Sequence, residues 1–262
     1  MGHARRFSLS RARLFAVTTT AISAQKTGIA GDARDHLAVA LDVPDTRLAL
    51  DLVDRLGDAC SWLKVGMELY YAAGNSLVEA LRARGYRIFL DLKLHDIPNT
   101  VAGAVRSVAS TGAELLTVHA SGGPAMLQAA AEAAQAPDSP RLLAVTVLTS
   151  MDAHELSATG VPGSPTDQVL RLAVLAKNAG INGMVCSPEE VAALRSAMGP
   201  ETLLAVPGIR PLGSSADDQR RLATPAETIA RGASMLVVGR PITRAVDPAR
   251  AARAILDEIA SV

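Results

Sequence analysis

From Leu37 to the C-terminus, short aliphatic runs alternate with longer stretches of helical periodicity, and the alternation repeats eight times. That rhythm restricts the fold more tightly than any single residue does. Strands are expected at 37–42, 62–65, 88–93, 115–119, 142–147, 183–186, 203–206 and 235–238. Their apolar runs are nearly continuous, which marks strands covered on both faces, as in a parallel sheet. Helices are expected between them at 47–56, 73–84, 100–110, 124–134, 166–179, 188–197, 225–231 and 248–259. Ser187-Pro188, Thr224-Pro225 and Asp247-Pro248 pair a capping residue with a proline suited to a first helical turn. Gly85, Gly112 and Gly180 close other helices. Eight β/α pairs in about 225 residues match a closed (β/α)₈ TIM barrel of the α/β class, one catalytic domain over 36–262. An open, doubly wound sheet is the alternative, but the G-x-G-x-x-G loop of dinucleotide binding is missing from the first strand-helix turn.

Composition narrows the function. Hydrophobic residues make up 49% of the 262, enough for one large core, and with 3% aromatics that core must be aliphatic and alanine-rich. Lys and Arg together number 26, as do Asp and Glu, and no basic block stands out. A general nucleic-acid or membrane-surface role is therefore not expected, and any phosphate binding should be local. No apolar run approaches the roughly 18 residues of a membrane span. Cys60 and Cys186 lack metal or redox spacing and read as small buried residues in a reducing compartment, the cytoplasm. His3, His36 and His154 are expected at the surface, and His95 and His119 in supporting roles near the strand ends, so no metal site is expected. Residues 1–35 stand apart as an N-terminal extension: Arg5, Arg6, Arg11, Arg13 and Lys26 precede the first acidic residue, Asp32. A disordered segment or a mis-assigned start is expected there. The alternative is an organellar targeting segment with a weak amphipathic helix over 9–22.

The third strand carries the densest chemistry. In Phe89-Leu90-Asp91-Leu92-Lys93-Leu94-His95-Asp96-Ile97-Pro98-Asn99-Thr100, alternation along a strand puts Asp91 and Lys93 on one face and the leucines on the other. Asp96 follows just past the strand end, and Pro98 starts a new helix. In a barrel, polar residues at strand ends converge on one mouth, where catalysis is housed. Asp42, Lys64, Asp91, Lys93, Thr149, Ser150, Arg210, Gly239 and Arg240 all fall at such positions. The loops after strands seven and eight are common phosphate sites, and here they hold glycines and arginines. Residues 211–216 lack periodicity and are expected to form a lid.

The segment D-L-K-L-H-D-I-P-N-T resembles the catalytic segment of the orotidine 5′-phosphate decarboxylase family. Further family-like motifs follow in order: Ala40-Leu41-Asp42, Lys64-Val65-Gly66, Leu148-Thr149-Ser150, Pro207-Gly208-Ile209-Arg210-Pro211 and Val238-Gly239-Arg240-Pro241-Ile242. Leu94 stands where the family usually has Phe. The resemblance implies conversion of orotidine 5′-phosphate to UMP and carbon dioxide without a cofactor, with Lys93 donating a proton to C6. It places Asp91 beside the departing carboxylate, acting either by repulsion or by holding Lys93. Asp42 and Lys64 would meet the ribose hydroxyls, Thr149 and Ser150 the pyrimidine, and Arg210, Gln219, Gly239 and Arg240 the phosphate. Asp96 and Thr100 would reach across a homodimer interface into the neighbouring site. Lys64, Asp91, Lys93 and Asp96 then form a neutral row in which each charge offsets its neighbour's desolvation. Three rivals are a magnesium-dependent sugar-phosphate decarboxylase, a Schiff-base aldolase and an inactive nucleotide-binding barrel. The first expects an acidic metal ligand where Lys64 stands, and the second a lysine of depressed pKa.

Overall fold

The computed structural model describes Met1, residues 32–211 and residues 223–262. The expected helix at 9–22, Gln219 and the lid beyond Pro211 lie outside the described residues. A 3₁₀ turn, Ala33–His36, leads into β1 (Leu37–Ala40), α1 (Thr46–Leu56), β2 (Trp62–Gly66), α2 (Met67–Ala83), β3 (Arg87–Leu94) and α3 (Pro98–Ala109). The middle of the chain supplies β4 (Leu115–His119), α4 (Gly123–Ala133), β5 (Arg141–Val145), α5 (Ala153–Ala158), α6 (Pro165–Asn178), β6 (Gly183–Val185) and α7 (Val191–Met198). β7 (Leu203–Val206), α8 (Pro225–Ala230), β8 (Met235–Val238), α9 (Arg240–Thr243) and α10 (Pro248–Ala260) complete it. Each strand pairs in parallel with the next, and β8 returns to β1, with Ala38 opposite Val237. The sheet is a closed eight-stranded barrel rather than the open alternative.

Alternation along each strand sorts the core into two layers. Ala38, Ala40, Trp62, Phe89, Leu115, Leu143 and Met235 fill the barrel interior. Leu37, Val39, Leu63, Leu90 and Leu116 point outward against the helices. Each such leucine, fully buried, contributes about 1.5–3 kcal/mol. At the N-terminal end the Arg87 guanidinium lies 3.9 Å from the centroid of the Trp62 ring and pairs with Glu114 at 2.7 Å. Burial pushes the Cys60 thiol up to about 12, which keeps it protonated as a packing group. Among the described residues no helix is long and apolar enough to cross a membrane.

Local chemistry sets the element boundaries. Asp45, Ser164 and Asp247 accept backbone N–H groups at the starts of α1, α6 and α10, caps worth about 1 kcal/mol each. Four of the departures from expectation have a visible local cause. The second helix begins at Met67 rather than 73, because Gly74 (φ 64°, ψ −159°) kinks α2 and interrupts its periodicity. The seventh begins at Val191 rather than 188, since the Glu190 carboxylate turns back to accept the Ser187 N–H at 3.0 Å. His154 is exposed but helical: Asp152 and Glu155 form a capping box that nucleates the short α5. β1 stops at Ala40, and Asp42 follows in a turn where its N–H reaches the Ala40 carbonyl at 3.0 Å.

Candidate active site

The C-terminal ends of the strands open on a cavity of about 390 Å³. Phe89, Val145, Val185 and Val237 supply apolar lining, while Asp42, Lys64, Asp91, Lys93, Thr149, Arg210, Gly239 and Arg240 supply the polar groups. Four of the charges stand in an alternating row. Lys64 Nζ lies 3.1 Å from Asp42 Oδ1 and 3.4 Å from Asp91 Oδ2. Lys93 Nζ donates to Asp91 Oδ1 at 2.8 Å. Each oxygen of Asp91 therefore faces a different ammonium.

Lys64 and Asp91 keep their charges because each has opposite charges beside it. Lys64 is 8% exposed, and burial alone would lower its pKa. The carboxylates of Asp91 and Asp42 outweigh that cost and hold it above the ordinary lysine value. For Asp91, burial pushes upward, but Lys64, Lys93 and the hydrogen bonds from Lys93 and Thr117 together hold its carboxyl below the usual range. Both ions persist at neutral pH.

Lys93 reaches this position through an irregular backbone. Its φ is +49°, in the left-handed region that a residue with a side chain seldom occupies. Leu90 pairs with Leu116 and Leu94 with Val118, so β3 advances four residues while β4 advances two. The bulge lifts Lys93 out of the ladder, and its N–H donates instead to Thr117 Oγ1 at 2.8 Å. Sequence reasoning passed over Thr117. Its signal was a hydroxyl on the inward-facing register of an otherwise apolar strand, two residues from Leu115.

Three expected site residues do not line the cavity of their own chain. Asp96, Thr100 and Ser150 are all exposed outside it. Asp96 Oδ1 accepts the Ile97 N–H at 2.6 Å, and Thr100 sits in the first turn of α3. Within one chain, the row expected as Lys64, Asp91, Lys93 and Asp96 is therefore Asp42, Lys64, Asp91 and Lys93. His95 and His119 stand beside the rim with ring centroids 5.3 Å apart. Burial, then His95 and Lys93, hold His119 below the ordinary histidine value. Gly239 lies so close to Asp42 that an added Cβ would stand 3.3 Å from the carboxylate, leaving backbone open to a ligand there.

Comparison with known proteins gives a consistent result. A family model described as orotidine 5′-phosphate decarboxylase / HUMPS matches residues 35–255. A relative from Nitrosococcus oceani named orotidine 5′-phosphate decarboxylase is 52% identical over 230 residues, covering 87% of this chain and 99% of that protein. One of the same name from Moorella thermoacetica is 51% identical over 237 residues, covering 88% and 94%. The crystal structure of orotidine 5′-phosphate decarboxylase from Lactobacillus acidophilus superposes with a TM-score of 0.76 at 40% identity, covering 85% of this chain and 98% of that one.

Proposed function

The chain belongs to the orotidine 5′-phosphate decarboxylase / HUMPS family, and from that premise we propose that it converts orotidine 5′-phosphate to UMP and carbon dioxide with its own side chains alone. The observation that carries the reading is the Asp42, Lys64, Asp91, Lys93 row at the cavity wall. The bond from C6 to the carboxylate breaks, carbon dioxide leaves, and the electron pair left on C6 takes a proton from the Lys93 ammonium. The neutral amine regains its proton from solvent. An ammonium fixed beside the developing carbanion stabilises it without solvent reorganisation. Both Asp91 oxygens are engaged by lysines, which supports holding Lys93 as its task.

Substrate contacts follow the same reading. Asp42 and Lys64 take the ribose hydroxyls, Thr149 the base, and Arg210, Gly239, Arg240 and Gln219 the phosphate, while Ser150, outside the cavity, is left without a substrate contact. Arg210 and Arg240 line the cavity on the side of the loops after β7 and β8, where barrels often bind phosphate. Asp96 and Thr100 serve a neighbouring subunit in a homodimer. Supporting this, Ile97, which lies between Asp96 and the start of α3, is 67% exposed, and Tyr71 (78%) and Met67 (41%) are exposed apolar side chains in the first turns of α2. The cytoplasm suits the two free cysteines. Against the magnesium-dependent rival, the Lys64 ammonium stands between Asp42 and Asp91, where it would repel a cation.

Carbon dioxide release from orotidine 5′-phosphate by exhaustively chelated protein tests the proposal. Full activity is expected. Activity that vanishes and returns only with magnesium moves the chain to the rival chemistry. Lys93→Ala should lose about 10²–10⁴-fold in turnover with an unchanged circular-dichroism spectrum, and near-native turnover removes Lys93 from its role.

A further inference from the structure

We propose that Thr117 is a positioning residue for decarboxylation, one hydroxyl that fixes both the backbone and the ammonium partner of Lys93. The inference rests on the proton-donor reading of Lys93 given above. Thr117 lies in β4, fully buried. Its Oγ1 accepts the Lys93 N–H at 2.8 Å and donates to Asp91 Oδ1 at 3.1 Å. That same Asp91 oxygen receives Lys93 Nζ at 2.8 Å. A hydroxyl has one proton to give and lone pairs to accept, so a single side chain closes the loop from Lys93 amide to Asp91 to Lys93 ammonium.

The loop matters because β3 is irregular at this point. Over the stretch where β3 gains its extra residues against β4, the Lys93 amide finds its acceptor in a side chain rather than in a strand carbonyl. A buried amide strongly needs such a partner. Without it, nothing on β4 favours the left-handed conformer (φ +49°) over ordinary extended backbone. A change in that one torsion swings the whole lysine side chain. Asp91 would lose a donor at the same time and turn more freely. Proton delivery depends on near-attack geometry, and a misplacement of about 1 Å costs about a hundredfold in rate. Thr117 does not itself line the cavity and stands behind Asp91 and Lys93, which do, so ground-state binding should be largely spared.

The test uses the full chain, with rates normalised to folded protein by circular dichroism. T117V, close in shape but without the hydroxyl, should lose about a hundredfold in kcat while KM stays within about threefold. T117S retains the hydroxyl and should stay within about threefold of the parent in both constants. If T117V yields too little folded protein, T117A removes the same hydroxyl without adding an apolar branch and carries the same expectation. Near-native kcat in either hydroxyl-free protein overturns the proposal, as does a T117S protein as slow as T117V, or a loss confined to KM. K93A is assayed in parallel. Turnover surviving in K93A defeats the proton-donor reading itself, whereas an inactive K93A beside a fully active T117V defeats only the role of Thr117.

Discussion

Lys64 keeps its charge under conditions that would strip an isolated buried amine, and that charge is the largest of the influences that keep Asp91 ionised. Asp91 has a depressed pKa, so its contribution to stability is present above the ordinary value of 3.8 and is lost as pH falls through the folded value. Lys64 has a raised pKa, so its contribution is complete below 10.5 and is lost as pH rises through the folded value. Between these limits the row is intact. Lys64→Ala removes the largest influence opposing burial at Asp91. The acid limb of kcat/KM against pH should then move to higher pH, alongside a loss of activity. An acid limb that stays in place would show that Asp91 draws its charge from Lys93 alone. At this scale the sequence was informative about which charges meet, since Asp91 and Lys93 share a strand face by simple alternation. It was silent about Thr117, because alternation assumes a regular strand and the bulge at Lys93 is an exception to it.

Among the elements, α2 shows where pattern reading ends. Its C-terminal part follows from periodicity, but the turns from Met67 to Ala72 were missed because the kink at Gly74 resets the phase of the apolar positions. The Gly74 backbone (φ 64°, ψ −159°) lies in a region almost exclusive to glycine, though an added Cβ would meet nothing within 4 Å. Gly74→Ala therefore isolates backbone strain from crowding. It should lower stability by about 1–3 kcal/mol in urea denaturation, with the m-value unchanged. An unaltered midpoint would mean that α2 straightens at no cost. The strands were legible nearly to the residue, with β4, β7 and β8 as expected, because apolar runs bounded by Gly, Pro or Asp leave little choice. α5 and α9 were not, as six and four residues are too few to display a helical period.

At the scale of the molecule, eight repeats made the closed barrel legible, and strand-end polarity located its mouth. The proposed partition of the site between subunits rests on resemblance, since one chain's geometry leaves Asp96 and Thr100 outside its own cavity. Mixing inactive Lys93→Ala and Asp96→Ala proteins tests that partition. One site of the mixed dimer collects both defects and the other is whole, so activity should return toward one working site per heterodimer. If mass spectrometry confirms subunit exchange and no activity returns, both residues act within one chain. The packing of the interior has a consequence for traffic. Trp62, Phe89, Leu115, Leu143 and Met235 fill the barrel beneath the cavity, and Arg87 stacks on Trp62 at the far end. The barrel is a well and not a pipe: nucleotide and gas have the same doorway, and the next substrate waits at the threshold the last product must cross.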